Sequence, residues 1–395
     1  MITKEQKCLI LENMTELLEL PESAYLKARE RYEDIGEWFG REESKCRDCE
    51  PHIFPQGSFR LGTAIRPLDE KEGYDLDLAC KLREGIIKTT HTQKALKELV
   101  GYEIETYRTA RGIKAQKEEK HRCWCLEYQD DLSFHMDIVP CIPADESRRI
   151  MVMKSMKRAG ESEAIAAEAS QHTVSITDDR HPRYSEICHD WNISNPEGYA
   201  QWFENRMDQS LMIMIEKAQI DGVPIFKRKT ALQRSIQLLK RHRDQMFKGD
   251  KEVKPISIII TTLAAKAYQG ELDIETALSN ILSRIASLVN RNKPKVPNPV
   301  DPEEDFADRW TMPQYRHLRL EDNFWNWLEQ AQNDFSLLDS NEDTGFISEQ
   351  ARLKFGVGMN TMDLAKQLGL SLASATIITP KTHVISEPPK PWIIK

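Results

Sequence analysis

The sequence predicts an α+β protein with N-terminal helices, a mixed α/β lobe and an all-helical lobe after it. Three observations predict this order. Residues 3–40 carry apolar side chains near helical spacing in a stretch dense in Leu, Glu and Lys. Between Ile53 and Val139, short runs alternate polar and apolar residues with a period of two, broken by turn residues. After Asn205 the pattern becomes helical. A chain of 395 residues has room for two or three lobes, and the expected boundaries are 1–48, 49–205, 206–380 and a tail over 381–395.

The clearest strands are "YDLDLAC" from Tyr74 and "SFHMDIVP" from Ser133. "KTALQRSIQLLKRHRDQMF" puts Leu232, Ile236 and Leu239 on one helix face, with Lys240, Arg241 and Arg243 nearby. The plain reading of those charges is a solvated face. "PISIIITTLAAKAY" reads as a buried helix, although its isoleucines also suit a strand. "RNKPKVPNPVDPEED" holds four prolines and reads as an extended crossing segment. The proline-rich tail ends in the apolar run Trp392-Ile393-Ile394. It either folds back on the helical lobe or docks on a regulatory protein partner. There is no internal repeat.

Composition excludes some functions. With 55 basic against 63 acidic residues the formal charge is -8, which argues against a general grip on long nucleic acid. A local basic pocket stays open. The most apolar segment, from Ile256, is too short to span a bilayer, so no membrane partner is expected. Eight scattered cysteines without a leader pattern suit reduced thiols in the cytoplasm.

The chemistry gathers around "PQGSFRLGTAIRPLDEKEGYDLDLAC", Pro55 to Cys80. On a strand, residues i and i+2 project from one face, roughly 6.6 Å apart. Asp75 and Asp77 therefore present two carboxylates to one small volume. Such a pair is costly without a cation between, and Mg²⁺ with substrate phosphates suits it. By itself the triplet is equally at home on a solvated strand. Asp137, inside the apolar run "FHMDIVP", adds a third carboxylate where an unpaired acid is unusual. Three carboxylates can hold two metal ions for in-line phosphoryl transfer. Gly57 allows a tight turn whose N–H groups, with the Ser58 hydroxyl, can cradle a phosphate. Gln56 and Arg60 flank that cradle and either touch phosphate or support the loop.

These residues carry a resemblance. "QGSFRLGTAIRP…YDLDLA…FHMDIVP" resembles the active-site signature of the polymerase-beta-like nucleotidyltransferase superfamily. More narrowly it is similar to the bacterial relatives of cyclic GMP-AMP synthase and oligoadenylate synthase, which make cyclic oligonucleotides in anti-phage signalling. The likeness extends over roughly residues 53–310. It implies a polymerase-beta-like lobe with a mixed sheet, and a catalytic cleft between that lobe and the helical one. It implies that Gly57 and Ser58 hold a donor triphosphate, and that Asp75 and Asp77 bind two Mg²⁺ ions, with Mn²⁺ as an alternative. It further implies that Asp137 helps activate the attacking hydroxyl and that Lys240 reaches donor phosphates from the helical lobe. Ser257 is a candidate for the same phosphates.

The implied activity joins ribonucleoside triphosphates, ATP among them and GTP a candidate, into a cyclic di- or trinucleotide with release of pyrophosphate. The alternative is a linear transferase acting on RNA or protein. Asn195 and the Thr177-Asp178 pair are candidates for the acceptor base. The basic run from Ser147 to Gly160 reads either as a helix with a buried Met stripe or as the mouth of a nucleotide pocket. Cys46, Cys49 and His52 have the spacing of half a zinc site. His121, Cys123 and Cys125 read better as a strand with both thiols on one face.

Overall fold

The computed structural model describes residues 2–69, 72–129, 132–207, 229–338 and 342–370. The expected tail, 381–395, lies outside the described residues.

Two helices open the chain, α1 (Lys4–Leu18) and α2 (Glu22–Gly40). Thr3 caps α1 reciprocally with Gln6, which satisfies two otherwise orphaned backbone donors. A mixed sheet of seven strands follows. Its strands are β1 (Pro51–Pro55), β2 (Tyr74–Leu82), β3 (Glu118–Glu119), β4 (Trp124–Tyr128), β5 (Phe134–Pro143), β6 (Val174–Ile176) and β7 (Ile193–Ser194). Between them lie α3 (Gly57–Arg60), α4 (Gln93–Ala110), α5 (Glu146–Arg158) and α6 (Glu163–Gln171), with α7 (Pro196–Asn205) after the last. The order along the main path is β1-β2-β5-β4-β3. Only the β2–β5 pair on that path is parallel, and β6 and β7 extend from β5.

The remaining α-helices among the described residues are α8 (Ala231–Met246), α9 (Ser257–Ala267), α10 (Ile274–Leu288), α11 (Leu320–Leu337), α12 (Thr344–Phe355) and α13 (Thr361–Leu368). The isoleucine run is thus the buried helix α9. The proline-rich segment forms the short hairpin β8 (Pro297–Asn298) and β9 (Asp301–Asp305).

Two large cores and one smaller cluster hold the described residues together. Leu76, Leu78, Cys80 and Leu82 of β2 and Phe134, Met136 and Ile138 of β5 pack with α2 and α4. The alternation of β2 and β5 thereby turns Asp75, Asp77 and Asp137 to the opposite face. The second core joins α8 to α13 and also takes Ile10, Leu11, Met14 and Leu18 of α1, Val152 and Met156 of α5, and Trp202 and Phe203 of α7. The N-terminal segment 1–48 is therefore shared: α1 packs with the helices and α2 with the sheet.

The charges of α8 do not form a solvated face. Lys240, Arg241 and Arg243 are all buried, because α8 runs through the interior between the lobes. Their side chains satisfy backbone carbonyls there: Arg241 donates to Arg66 O at 2.6 Å and Arg243 to Pro255 O at 2.9 Å.

Candidate active site

The β2–β5 register fixes the acids. Asp77 is the register partner of Asp137, and Asp75 of His135. Gly57, Ser58, Asp75, Asp77, Lys240 and Ser257 all line one cleft of about 830 Å³ between the sheet and the helices. The loop after α8 contributes Lys248, Lys251 and Lys254, which set positive charge against the acids of the cleft. Lys251 pairs with Glu72 across the cleft.

The Gly-Ser turn is built against Asp77. The N–H of Gln56 donates to Asp77 O at 2.8 Å, and Gly57 follows with φ +63°. A Cβ on Gly57 would lie 2.2 Å from Asp77 Oδ2, so only glycine lets the turn approach the carboxylate. Gln56 itself supports the loop, its side chain directed to Leu78 O at 3.4 Å.

Electrostatics follow from this crowding. Burial, with Asp75 and Asp137 alongside, pushes the Asp77 carboxyl up to about 7. Desolvation in the cleft raises Asp75 as well, although the residue stays partly open to solvent near the start of β2. Lys240 donates to Thr63 O at 2.9 Å, and burial beside Arg243 pushes its ammonium down to about 8. Ser257, the first residue of α9, accepts from Arg243 Nη1 at 2.9 Å.

The third carboxylate is engaged elsewhere. Lys120 Nζ lies 2.9 and 3.1 Å from the two oxygens of Asp137. Accordingly, among the described residues no three His, Cys, Asp or Glu side chains are gathered to hold a metal ion. Asp75 and Asp77 still fit a hard divalent cation. They are oxygen donors on one strand face whose ionisation is opposed until positive charge arrives, and they share the cleft with a phosphate-sized turn.

Residues 51–140 match the nucleotidyltransferase domain of the cyclic GMP-AMP synthase DncV-like family. A c-di-GMP synthase from Roseivirga ehrenbergii is 30% identical over 334 residues, covering 81% of this chain and 79% of that protein. The chain belongs to the DncV-like nucleotidyltransferases. It is an enzyme that builds cyclic oligonucleotides by nucleotidyl transfer. The cyclic dinucleotide synthase CdnG from Bradyrhizobium diazoefficiens is 24% identical over 353 residues, 84% of this chain and 78% of that protein. The structure of CdnG in complex with GTP superposes with a TM-score of 0.65, over 93% of this chain and 100% of CdnG at 18% identity, so the fold is shared.

Other sequence candidates take different places in this nucleotidyltransferase. Arg60 is paired with Glu204 of α7 and is absent from the cleft lining. Asn195 caps α7: its Oδ1 accepts from Gly198 N–H at 3.0 Å while Nδ2 donates to Ala169 O. Asp178 is held by Arg122 at 2.8 Å and by Asn192. The Met-rich run is α5, which buries Met156 and lies outside the cleft lining. His52 stacks on Phe54 at 5.3 Å. Cys125 on β4 is the register partner of Asp137, whereas Cys123 precedes the strand, so only one of the two thiols expected on a strand lies on it. Sequence reasoning does not reach Lys120, and it reads Arg243 only as one charge of a solvated helix face. The basic run around Arg243 was visible, whereas nothing local marks Lys120.

Proposed function

We propose that the protein condenses ribonucleoside triphosphates, with ATP and GTP as the substrates to test first, into a cyclic di- or trinucleotide messenger with release of pyrophosphate. The observation that carries this reading is the Gly57 turn packed against Asp77, in one cleft with Asp75 and with Lys240 of the other lobe, while Asp137 is the strand neighbour of Asp77. The names of the relatives, a c-di-GMP synthase and CdnG solved with GTP, support a guanosine nucleotide among the substrates.

Asp75, Asp77 and Asp137 would hold two Mg²⁺ ions, with Mn²⁺ as a substitute. Bound there, the ions supply charge neutralisation on the donor phosphates and acidify the attacking ribose hydroxyl. The chain's own part is positioning. The turn at Gly57 and Ser58 offers N–H and hydroxyl donors to the donor triphosphate, and Lys240 and Ser257 meet it from the helical lobe. Asp137 orients the acceptor hydroxyl. One cleft makes the linear intermediate and then receives it reversed for closure. The formal charge of -8 weighs against an RNA acceptor. A role in anti-phage signalling rests on the family resemblance.

The test is product analysis. The protein is incubated with each of the four triphosphates and with their mixtures in Mg²⁺. Products are then separated after phosphatase treatment and assigned by mass spectrometry and linkage-specific nucleases. Phosphatase-resistant cyclic species are expected. Extended linear polymer would overturn the reading.

A further inference from the structure

Lys120 stands where the metal reading calls for a cation. Its ammonium bridges both oxygens of Asp137, and Asp137 is the strand neighbour of Asp77. Adjacent strands lie about 4.8 Å apart, so ionised carboxylates on such partners repel strongly. Asp75 and Asp77 share that strand face and repel charge on Asp137, and Lys120 is the cation that meets it.

The base of Lys120 is fixed from below. Lys97 of α4 is wholly buried, and its ammonium donates to the carbonyls of Lys120 and His121 at 2.5 and 3.1 Å. It also pairs with Glu119 at 3.1 Å, while His121 pairs with Asp179 at 2.7 Å. The N–H of Lys120 donates to Cys123 O at 2.9 Å. Burying that ammonium is costly, and the two carbonyls with the Glu119 carboxylate offset the cost. The far end of Lys120 is different: its side chain is 40% exposed and can swing into the solvent.

We propose that Lys120 is a resident counter-ion of the metal-free enzyme, which neutralises Asp137 and keeps it apart from Asp75 and Asp77 until a divalent cation displaces it. The inference rests on the reading in which these carboxylates bind metal. Lys120 is a positioning residue in this scheme, acting through Asp137. It lowers the metal affinity of the free protein, so that tight metal binding waits for the charge of a bound triphosphate. Lys97 sets the reach.

The experiment measures Mn²⁺ binding to the full, nucleotide-free chain by the electron paramagnetic resonance signal of free Mn²⁺. Lys120→Met is expected to bind Mn²⁺ about tenfold more tightly than wild type, the scale on which one adjacent charge shifts an ionic equilibrium. Lys120→Arg should bind Mn²⁺ no more tightly than wild type, because the charge is kept and a guanidinium holds a carboxylate bidentately. On an Asp137→Asn background Lys120→Met should give no tightening. Lys120→Gln serves equally if the Met variant melts early. Folded Met or Gln variants with wild-type or weaker affinity would overturn the counter-ion role alone. Saturable binding that persists in Asp75→Asn and Asp77→Asn, or is missing from every variant, would overturn the metal reading and the counter-ion with it.

Discussion

Asp77 and Asp137 face one another across the parallel β2–β5 pair, and each is neutralised by a different route. Lys120 bridges Asp137, whereas Asp77 resists ionisation because of burial and its acidic neighbours. Two solutions to one repulsion make a site ready for added positive charge.

A prediction for Asp77→Asn follows from the sign of that shift. The folded carboxyl titrates near 7 against an ordinary 3.8, so the native state binds more protons than the unfolded state between these values. Stability of the metal-free protein therefore falls as pH rises through that window and levels off above it. Asn removes the term. In chelator, the variant should melt with wild type near pH 4 and increasingly above it towards pH 8, while activity with Mg²⁺ is abolished. Equal pH profiles for the two proteins would contradict the assigned shift.

Much of this site was legible in the sequence because strands obey a simple period. "YDLDLAC" and "FHMDIVP" each put apolar residues on one face, so the aspartates had to share the other. Gly57 was legible as a turn, though not as the one residue that fits against Asp77 Oδ2. What remained hidden depends on which distant element covers each face. Lys120 meets Asp137 only through the pairing of β4 with β5 and the support of Lys97 from α4. The place of Arg60 beside the cradle leaves open whether it touches phosphate or supports the loop, and nothing local shows that Glu204 on α7 pairs with it. The buried charges of α8 follow the same rule, since no local pattern reveals that a second lobe closes over them.

Lys240→Met should weaken substrate binding more than folding. The ammonium is buried in the cleft and donates to Thr63 O, within reach of the fields of Asp77 and Asp75. A charge-assisted contact to phosphate is worth roughly 1.5–3 kcal/mol, which corresponds to a rise in KM of about ten- to a hundredfold. Met keeps the shape and removes a buried charge, so the loss of stability should stay near 1 kcal/mol, the cost of leaving the Thr63 carbonyl unpaired. Pyrophosphate release against triphosphate concentration checks the first part and thermal melting the second. An unchanged KM would remove Lys240 from the binding site.

Duplex DNA should not stimulate the enzyme. The chain carries 55 basic against 63 acidic residues, and the basic side chains of the cleft loop, such as Lys251 and Lys254, are already paired with Glu72 and Asp244. Counter-ion release from a nucleic-acid backbone needs many free Lys and Arg side chains on one surface. Product formation measured with and without DNA at two salt concentrations should coincide. A large, salt-sensitive stimulation would refute this.

Gly57→Ala tests whether the turn matters for its backbone or for its closeness to Asp77. Gly57 has φ +63° and Gly112 has φ +65°, so alanine strains both backbones alike, by about 1–3 kcal/mol. The surroundings differ. A Cβ at Gly57 would sit 2.2 Å from Asp77 Oδ2 and 3.0 Å from its Cγ, while a Cβ at Gly112 meets nothing within 4 Å. The Asp77 side chain must therefore move in Gly57→Ala and need not move in Gly112→Ala. Both variants should melt a few degrees below wild type, because the shared strain lowers stability in each. Only Gly57→Ala should lose activity, by at least about a hundredfold, since a displacement near 1 Å at a reacting centre has that effect. Melting curves and pyrophosphate-release rates on the same preparations decide it. If the two variants retain equal activity, the contact between the turn and Asp77 has no part in catalysis.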